Sequence, residues 1–499
     1  MSKYICIHGH FYQPPRENPW TGKVPRQESA SPFHDWNQRI SQECYAPNAQ
    51  AKIMEGKDKT LEVVNNYEMM SFNFGPTLLS WMAKEDKETY QAVLEADRMS
   101  QKRFDGHGSA IAQAYNHMIM PLANARDKYT QVFWGIKDFQ YHFLRFPEGM
   151  WLPETAVDTE SLEIMAKLGI KFTILAPRQA AQIKHKGQEQ WQKVVDEQFD
   201  YQKPYLCRLP SGRSIVLFFY DGGLSNEIAF GRLLKNGERF AARMTESIEL
   251  EKEKRLLSVA TDGETYGHHH KFGEMALAYF LKRIICNPFV KLTVYGQYLA
   301  SHPPEDEVKI VEHSSWSCAH GIERWRADCG CKLDIAVTSS QYWRGALREA
   351  LDWLRDQLTA VYEREMSKYC GDPWLLRNRS IEIVLNSSVE QKEQFLRDEG
   401  LGELNDNDKE KVFQLLEMQR FCMLMYTSCG WFFDDISRIE PIQILQYASR
   451  AIEYGAMFEQ RDLEEPFLKI LEKANSNDPQ IKNGRVVYER FVKTAKVDL

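Results

Sequence analysis

The sequence predicts an α/β fold in which a βα barrel is followed by an all-helical C-terminal domain. Over roughly the first 310 residues, short apolar runs alternate with segments of helical periodicity, which is the pattern of parallel βα units. From Gln341 onward the helical pattern continues without a convincing strand signal. Because 499 residues are too many for one ordinary core, we expect a barrel domain at 1–310 and a helical domain at 311–499.

The predicted strands are short apolar runs, and about seven or eight of them in about 300 residues suit a βα barrel. They are Tyr4–Ile7, Met69–Phe74, Gly149–Leu152, Ile170–Leu175, Ser214–Tyr220, Leu256–Ala260 and Val290–Val294. The segments with helical periodicity are 47–67, 125–143, 159–168, 227–254 and 272–286. The polar stretch 179–213 shows no regular pattern, and we interpret it as an irregular insertion over the barrel mouth.

Composition narrows the class of protein and its partners. A hydrophobic content of 43% and a charged content of 27% are typical of a globular chain. The formal charge of −7 argues against nucleic acid or an acidic membrane surface as the main partner. The first residues lack the apolar run of a signal peptide, and no stretch approaches the roughly 20 apolar residues of a membrane span. Ten scattered cysteines are typical of reduced thiols, so we expect a cytoplasmic protein.

Three clusters of polar side chains follow predicted strands at their C-terminal ends. They are His8, His10 and Gln13; Glu154; and Asp262, Glu264 and His269. Active sites of βα barrels are built from side chains at such strand ends. Acidic groups crowded there shift one another's pKa, which general acid/base chemistry can use. A pair formed by Glu154 and Asp262 across one barrel mouth would be the two-carboxylate arrangement of a glycosidase.

Three motifs resemble those of family 57 of the glycoside hydrolases. They are a strand with His-x-His followed by Gln-Pro, Trp-Leu-Pro-Glu-Thr-Ala at 151–156, and Thr-Asp-Gly-Glu-x-x-Gly-His-His at 261–269. The resemblance covers about residues 1–310. It implies an incomplete (β/α)7 barrel followed by a helical domain of unassigned function. It also implies a retaining amylase, 4-α-glucanotransferase or branching enzyme that acts on α-glucans.

Transferred residue by residue, the resemblance makes Glu154 the nucleophile and Asp262 the acid/base. It implies that side chains around this pair hold sugar hydroxyls or stack on the sugar. These are His8, His10, Gln13, Glu264 and His269, with Trp151, Trp316 and Trp325 as stacking platforms. The sequence departs from the family pattern in two places. Phe11 and Tyr12 lengthen the first motif, and the second motif has no acidic residue at 106–109, only the later His117 as a binding candidate.

The segment 313–331 is rich in side chains that suit a polyol ligand. They are Trp316, His320, Arg324, Trp325 and Asp328. Flat apolar rings beside charged donors and acceptors predict that 313–328 folds over the barrel mouth and forms part of the sugar site. The same residues could instead anchor the helical domain on the barrel's flank, since Trp and Arg are common interface anchors.

Two alternative functions remain open at this point. A metal-dependent deacetylase or zinc-type mannosidase could use His8, His10, Asp262 and His269 as ligands. A non-catalytic glucan-binding protein could keep the fold without turnover, although the presence of both carboxylates counts against it. A zinc site could also be formed by Cys318, Cys329 and Cys331 with His313 or His320, but these cysteines lack the paired C-x-x-C spacing of zinc sites. We therefore interpret them as buried thiols and expect neither a metal nor a cofactor.

Overall fold

The computed structural model describes residues 3–56, 58–249, 255–333 and 339–496. The chain divides into two compact units, and neither is continuous in sequence. The first unit comprises Met1–Gln13, Arg26–Ala114 and Phe139–Glu312. The second comprises Pro14–Pro25, Tyr115–Asp138 and His313–Leu499. The prediction of two consecutive domains therefore misses one feature. The early segments Pro14–Pro25 and Tyr115–Asp138 belong with the C-terminal half.

The strands of the described residues all lie in the first unit. They are β1 (Lys3–Phe11), β2 (Ala51–Glu55), β3 (Lys59–Val64), β4 (Ser71–Phe74), β5 (Ala112–Gln113), β6 (Met150–Trp151), β7 (Phe172–Leu175), β8 (Ala180–Lys184), β9 (Gln192–Lys193), β10 (Tyr205–Arg208), β11 (Ser214–Phe219), β12 (Leu256–Asp262), β13 (Val290–Leu292) and β14 (Asp306–Ile310). Each of the seven predicted strands overlaps one of these, since buried apolar runs bounded by turn residues are a strong strand signal.

Strand β1 is the centre of the parallel sheet, because it pairs in parallel with β4, β12 and β13. In this register His10 lies opposite both Asn73 of β4 and Asp262 of β12. Parallel strands end at the same edge of a sheet, and register partners point to the same face. The sheet therefore brings these three side chains to one edge.

Further parallel pairs continue from β4 toward the middle of the unit. An isolated bridge joins Phe72 to Ala110, β5 pairs with β6, and a second bridge joins Gly149 to Phe172. Strand β7 then pairs in parallel with β11. The strand ends that carry Gln113 and Trp151 are thus register partners in the same series.

Two regions differ from the sequence-based expectation. Strands β8, β9 and β10 lie within the predicted irregular insertion and join a six-stranded sheet in the order β7-β11-β10-β14-β8-β9. Strands β2 and β3 pair as an antiparallel hairpin where we predicted a helix to Tyr67. Threonine and valine in β3 favour a strand, but β3 is polar and almost wholly exposed, and the partly buried β8 shows no regular alternation of apolar and polar residues, so the sequence does not show a two-residue period in either region.

The helices before residue 312 alternate with the parallel strands. They are α1 (Trp36–Ile40), α2 (Ala46–Ala49), α3 (Pro76–Glu85), α4 (Lys87–Arg103), α5 (Ala125–Phe143), α6 (Thr159–Lys167), α7 (Gly222–Phe230), α8 (Gly237–Glu249), α9 (Gly273–Ile285) and α10 (Tyr295–Ser301). Helix α5 has the predicted bounds, and α6 begins where Asp158 caps the amide of Ser161. The helix predicted at 227–254 is divided between α7 and α8, and residues 250–254 lie outside the described residues.

The C-terminal part of the second unit is helical, as predicted. Its helices are α11 (Trp343–Met366), α12 (Pro373–Arg379), α13 (Ile381–Leu385), α14 (Val389–Asp398), α15 (Asp406–Leu424), α16 (Cys429–Phe432), α17 (Ile439–Ala456), α18 (Glu464–Leu471) and α19 (Gly484–Val487). Helix α15 packs on α17, and α11 packs on α18. Leu347, Leu351, Leu354 and Leu358 form the buried stripe of α11, at the spacing of one helix face. Across the part of the chain that the structure describes, no helix combines the length and hydropathy needed to cross a bilayer.

Candidate active site

Asn73, at the end of β4, joins the two histidines of β1. Its Oδ1 lies 3.1 Å from Nε2 of His8 and 3.3 Å from Nδ1 of His10, while its Nδ2 lies 2.9 Å from Nδ1 of His10. The same Nδ2 donates to Oε1 of Gln113 at 2.8 Å. Nδ1 of His8 lies 3.0 Å from the Ser71 hydroxyl. All five side chains are buried, so this network fixes the ends of three strands relative to one another.

Trp151 lies against both histidines. Its ring stacks on His8 at 4.9 Å and on His10 at 5.0 Å between centroids. The indole is fully buried, which corrects its predicted role as a sugar-stacking platform: it packs on the histidines instead. His8 is also fully buried, with both ring nitrogens engaged, so it positions Asn73 and does not face a sugar. Burial lowers the pKa of each histidine to about 3, so both rings are neutral near pH 7.

Glu264 is held by the chain that follows β1. Its Oε1 accepts from the amide of Tyr12 at 3.1 Å and from the hydroxyl of Tyr45 at 2.5 Å. Burial raises the pKa of Glu264 to about 7, although these two donors and Gln13 lower it. The motif glycine beside it is required by close packing, because a Cβ on Gly263 would lie 2.2 Å from the Phe11 ring. Glu264 therefore titrates near neutral pH within a fixed set of donors.

Asp262 lies at the end of β12, and its side chain is exposed to solvent. The surrounding protein nevertheless desolvates its carboxylate, which raises the pKa of Asp262 well above its usual range. The negative charges of Glu264 and then Glu154 raise it further. A carboxyl group that is accessible and retains its proton at unusually high pH has the properties of a general acid.

Glu154 lies in a short turn after β6 and has a left-handed backbone, with φ 57° and ψ 20°. Thr155 follows with φ 50°. Left-handed conformations are unfavourable for residues that carry a Cβ, so the surroundings must hold this turn. Gln179 does so, since its Nε2 donates to the carbonyl of Thr155 at 2.8 Å and its Oε1 lies 2.9 Å from the Thr155 hydroxyl. The backbone of the half-buried Glu154 is thereby held in this conformation.

The three consecutive histidines have separate environments. His268 lies 2.5 Å from Oε2 of Glu43, and Nε2 of His270 donates to the carbonyl of Ala229 at 2.8 Å. His269 is exposed, and its amide donates to the carbonyl of Glu264 at 2.9 Å. Desolvation and the charges of its two neighbours lower the pKa of His269 to about 4. Its imidazole is therefore a neutral hydrogen-bonding group at neutral pH.

Several residues of the site were not found from sequence. They are Tyr45, Asn73, Gln113, Arg178 and Tyr220. Tyr220 follows β11 and is close enough to Asp262 and Arg178 for both charges to influence its pKa. The only available signal for Asn73 and Tyr220 was their position at the end of an apolar run. Tyr45 follows no strand, and nothing in the sequence connects it with Glu264.

The other predicted site residues belong to the second unit, where the structure gives most of them partners that the prediction did not include. His117 is buried with Nδ1 2.6 Å from the Ser428 hydroxyl. The guanidinium of Arg324 donates to the carbonyls of Ser317 and Phe432. Asp328 accepts from the amide of Gln341, His320 lies beside Cys331, and Trp316 is half-buried. The Trp325 ring is fully buried, so the prediction of a sugar-stacking platform there is wrong.

The ligands named for a metal-dependent alternative do not converge on one point. Among residues 3–56, 58–249, 255–333 and 339–496, a single cluster brings three or more His, Cys, Asp or Glu ligand atoms within 4.8 Å of one another. That cluster is Cys318, His320, Cys329 and Cys331, and it lies in the second unit. The structure therefore gathers the three cysteines that we interpreted as buried thiols without a metal.

The strand-end site combines an accessible acid of raised pKa, a second carboxylate in a constrained turn and neutral histidines. Such an arrangement is suited to acid/base chemistry on a polar substrate. The chain belongs to glycosyl hydrolase family 57, whose model matches residues 6–311, which confirms the resemblance of the three motifs. A second model, described as a domain of unknown function (DUF3536), matches residues 340–499. No curated protein matches the chain.

Solved structures with related folds cover nearly the whole chain. An exo-type maltose-forming amylase from Pyrococcus sp. ST04 has a TM-score of 0.75 and 15% identity, covering 98% of this chain and 92% of its own. A branching enzyme from Pyrococcus horikoshii has a TM-score of 0.57 and 15% identity, covering 100% and 97%. A 4-α-glucanotransferase from Thermococcus litoralis has a TM-score of 0.55 and 15% identity, covering 91% and 60%. At this identity the likeness concerns the fold.

Proposed function

We propose that the protein is a retaining glycoside hydrolase or transglycosylase that acts on α-glucans. Glu154 is the nucleophile and Asp262 the acid/base. The observation that carries the proposal is the position of the accessible Asp262 at the end of β12, within electrostatic reach of Glu154. Desolvation, and then the charges of Glu264 and Glu154, raise the pKa of Asp262. The names of the similar solved structures, a maltose-forming amylase, a branching enzyme and a 4-α-glucanotransferase, support an α-glucan as substrate.

In the first half-reaction Asp262 donates its proton to the glycosidic oxygen while Glu154 attacks the anomeric carbon. The bond to the leaving chain breaks, and a covalent glycosyl-enzyme ester forms on Glu154. In the second half-reaction the Asp262 carboxylate removes a proton from water or from a sugar hydroxyl. The new oxygen attacks the anomeric carbon and releases Glu154. Water as acceptor gives hydrolysis, and a second glucan gives transfer.

Neutral histidines suit the binding of uncharged sugar hydroxyls. We place His10, Gln13, Glu264 and His269 around the sugar that is cleaved, with His8 and Asn73 fixing His10 from behind. The low pKa values of His10 and His269, about 3 and about 4, favour uncharged rings that donate and accept hydrogen bonds. Glu264 also acts on Asp262, because its negative charge raises the pKa of the acid.

An incomplete (β/α)7 barrel is the architecture that we propose for the first unit. The parallel neighbours run in the order β12-β1-β4-β5-β6-β7-β11, with isolated bridges joining β4 to the start of β5 and β6 to β7. Carboxyl ends at one mouth of such a barrel carry the active site. Both proposed carboxylates follow strands of this series. A cytoplasmic location stays a prediction from the cysteine content.

The test is incubation of the full chain with amylose and with maltooligosaccharides of defined length, followed by analysis of product lengths. Shorter products alone indicate hydrolysis, products both longer and shorter than the substrate indicate transfer, and new α-1,6 linkages indicate branching. The anomer released first should have the configuration of the substrate. Absence of turnover on every α-glucan, with glucan binding retained, would favour the non-catalytic alternative and contradict the proposal.

A further inference from the structure

Four potential metal ligands meet in the loop that precedes α11. Cys318 is buried, Cys329 and Cys331 are half-buried and His320 is exposed. The Sγ atom of Cys318 lies 3.9 Å from that of Cys329 and 3.8 Å from that of Cys331. Nδ1 of His320 lies 3.7 Å from the Cys331 Sγ. The four ligand atoms all lie within 4.8 Å of one another.

These separations have the size of a zinc coordination tetrahedron. With Zn–S bonds near 2.3 Å and a Zn–N bond near 2.0 Å, ligand atoms in a tetrahedral site lie about 3.5 to 3.8 Å apart. The three separations given above, 3.7, 3.8 and 3.9 Å, fall within or just above this range. Sulfur atoms joined in a disulfide would lie about 2.0 Å apart, and all three thiols are free.

We propose that Cys318, His320, Cys329 and Cys331 bind one zinc ion in the second unit. The ligand set is three thiolates and one imidazole, which is one of the usual sets for structural zinc. All four positions are then occupied by protein, so no position remains for water or substrate. The site therefore holds the fold of the loop and takes no part in sugar chemistry. This inference is independent of the proposed function.

The two ligand pairs are presented by tight turns. In each pair one residue separates the ligands, Cys-Ala-His at 318–320 and Cys-Gly-Cys at 329–331. Gly321, with φ 84°, closes the first turn, and its amide donates to the carbonyl of Cys318 at 3.2 Å. Gly330, with φ 79°, lies between the ligands of the second. Glycine adopts these conformations without steric cost, so both turns can aim two ligands at one point.

Arginine side chains support the loop on both sides of the site. The guanidinium of Arg344 donates to the carbonyl of Cys331 at 2.9 Å, and that of Arg324 donates to the carbonyl of Ser317 at 3.1 Å. Zinc bound by three thiolates and a neutral imidazole carries a net charge of −1, since three thiol protons leave on binding. Two guanidinium groups beside the ligand-bearing backbone complement that charge.

The test measures zinc in the full chain purified with reductant and without chelator. We expect about one zinc per chain in the wild type. Cys329→Ser removes a ligand and should weaken zinc retention by at least about tenfold. Cys286→Ser is the matched control, because Cys286 is an exposed thiol outside the cluster, and it should retain the full content. His320→Gln removes the exposed imidazole ligand and leaves the buried Cys318 thiol in place, so it tests the contribution of the histidine alone.

Replacement of zinc by cobalt is measured on the wild-type protein, so this second test does not require that any variant folds. Wild-type protein loaded with Co²⁺ should show thiolate-to-metal charge transfer and the visible bands of tetrahedral cobalt. Zinc content equal in wild type, Cys329→Ser and Cys286→Ser would mean an adventitious ion only and would overturn the proposal. Absence of zinc together with absence of those cobalt bands would also overturn it. So would a disulfide between two of the cysteines, seen as a mass loss of two hydrogens in the zinc-free protein.

Discussion

The two histidine-containing clusters of this protein are assembled in opposite ways. The network around Asn73 collects side chains from three strands that are far apart in sequence, and sheet register brings them together. The cysteine cluster lies within one loop, 318–331, and two glycine-assisted turns bring its ligands together. The first depends on the folding of a whole sheet. The second is local, and its four ligand atoms lie within 4.8 Å of one another, so we infer that a metal completes it.

The two clusters also differ in what holds their side chains in position. In the sheet, both polar atoms of the Asn73 side chain have protein partners, and burial keeps the histidines neutral. In the loop, sulfur atoms lie in contact without any strong mutual hydrogen bond, since thiols are weak donors and weak acceptors. Substitutions in the sheet and in the loop should therefore have different consequences.

Replacement of the proposed nucleophile should have the largest effect. Glu154→Gln keeps the shape of the side chain and removes its nucleophilicity, so we expect turnover of α-glucans to fall by roughly three or more powers of ten. The melting temperature should stay near that of the wild type. Glu88→Gln, an exposed glutamate of α4, is the control and should keep full activity. Ordinary turnover by Glu154→Gln on every substrate of the wild type would refute the assignment.

Truncation of Trp325 tests the loop region. The ring is fully buried and the residue's carbonyl accepts from Arg348 at 3.1 Å, so Trp325→Ala should reduce the free energy of unfolding by about 3–5 kcal/mol. Tyr342→Ala, at a position that is 76% exposed, should change it little. Denaturant unfolding measures both. A loss of oligosaccharide binding at unchanged stability would restore the original expectation of a stacking platform.

Substitution of Asn73 tests the sheet region. Asn73→Leu leaves the imidazole of His10 and the amide of Gln113 without this partner, at a cost of about 1–3 kcal/mol in unfolding free energy. The KM for maltooligosaccharides should rise because His10 loses its orientation. Gln113→Leu removes one hydrogen bond of the same network and should give a smaller change in both quantities. Equal effects of the two variants would mean that Asn73 does not organise the site.

The titration of Glu264 gives the smallest effect and has a defined sign. Its pKa is raised from 4.5 to about 7 in the folded protein, so the folded state keeps a proton that the unfolded state releases. Stability from this group is present below pH 4.5 and is lost as the pH rises to about 7. Glu264→Gln should remove this part of the decline, about 1–3 kcal/mol. Chemical unfolding between pH 4 and pH 8 measures it.

Tyr45→Phe is the matched variant for that measurement. The Tyr45 hydroxyl lowers the pKa of Glu264, so its removal should raise that pKa and move the decline in stability to higher pH. An unchanged pH profile in both variants would show that Glu264 does not titrate in this range. The same variants bear on activity, because loss of the Glu264 charge should lower the pKa of Asp262 and move the alkaline limit of turnover to lower pH.

Motif order and apolar runs were sufficient to predict the strands that carry the site. Tyr4–Ile7 and Leu256–Ala260 are apolar, bounded and followed by polar residues, and both became neighbouring strands, β1 and β12. The hairpin β2–β3 and strand β14 were missed because their residues are polar or exposed on one face. The roles expected of Trp151 and Trp325 failed for another reason. Residue type indicates that a ring can stack, but burial decides whether it has a free face.

The cysteine cluster shows a second limit of prediction from the sequence. Judged against the C-x-x-C pattern, the thiols of 318–331 suggested no metal, because that comparison assumes one particular turn. The structure uses Cys-x-His and Cys-Gly-Cys turns instead, with Gly330 in a conformation that the shorter spacing requires. Similarly, nothing local connects Tyr45 with Glu264, since their contact arises from the path of the chain after α1.

At Glu154, the residue that the proposed activity requires is not the residue that would make the left-handed turn most stable. A residue with a Cβ in this conformation costs about 1–2 kcal/mol relative to one without. Glycine at position 154 would therefore suit the backbone better than the proposed nucleophile does. A descendant of this chain freed from selection for turnover would gain stability by adopting glycine there. In related chains, a glutamate at this position is thus expected where turnover is still selected, and a glycine where it has been lost.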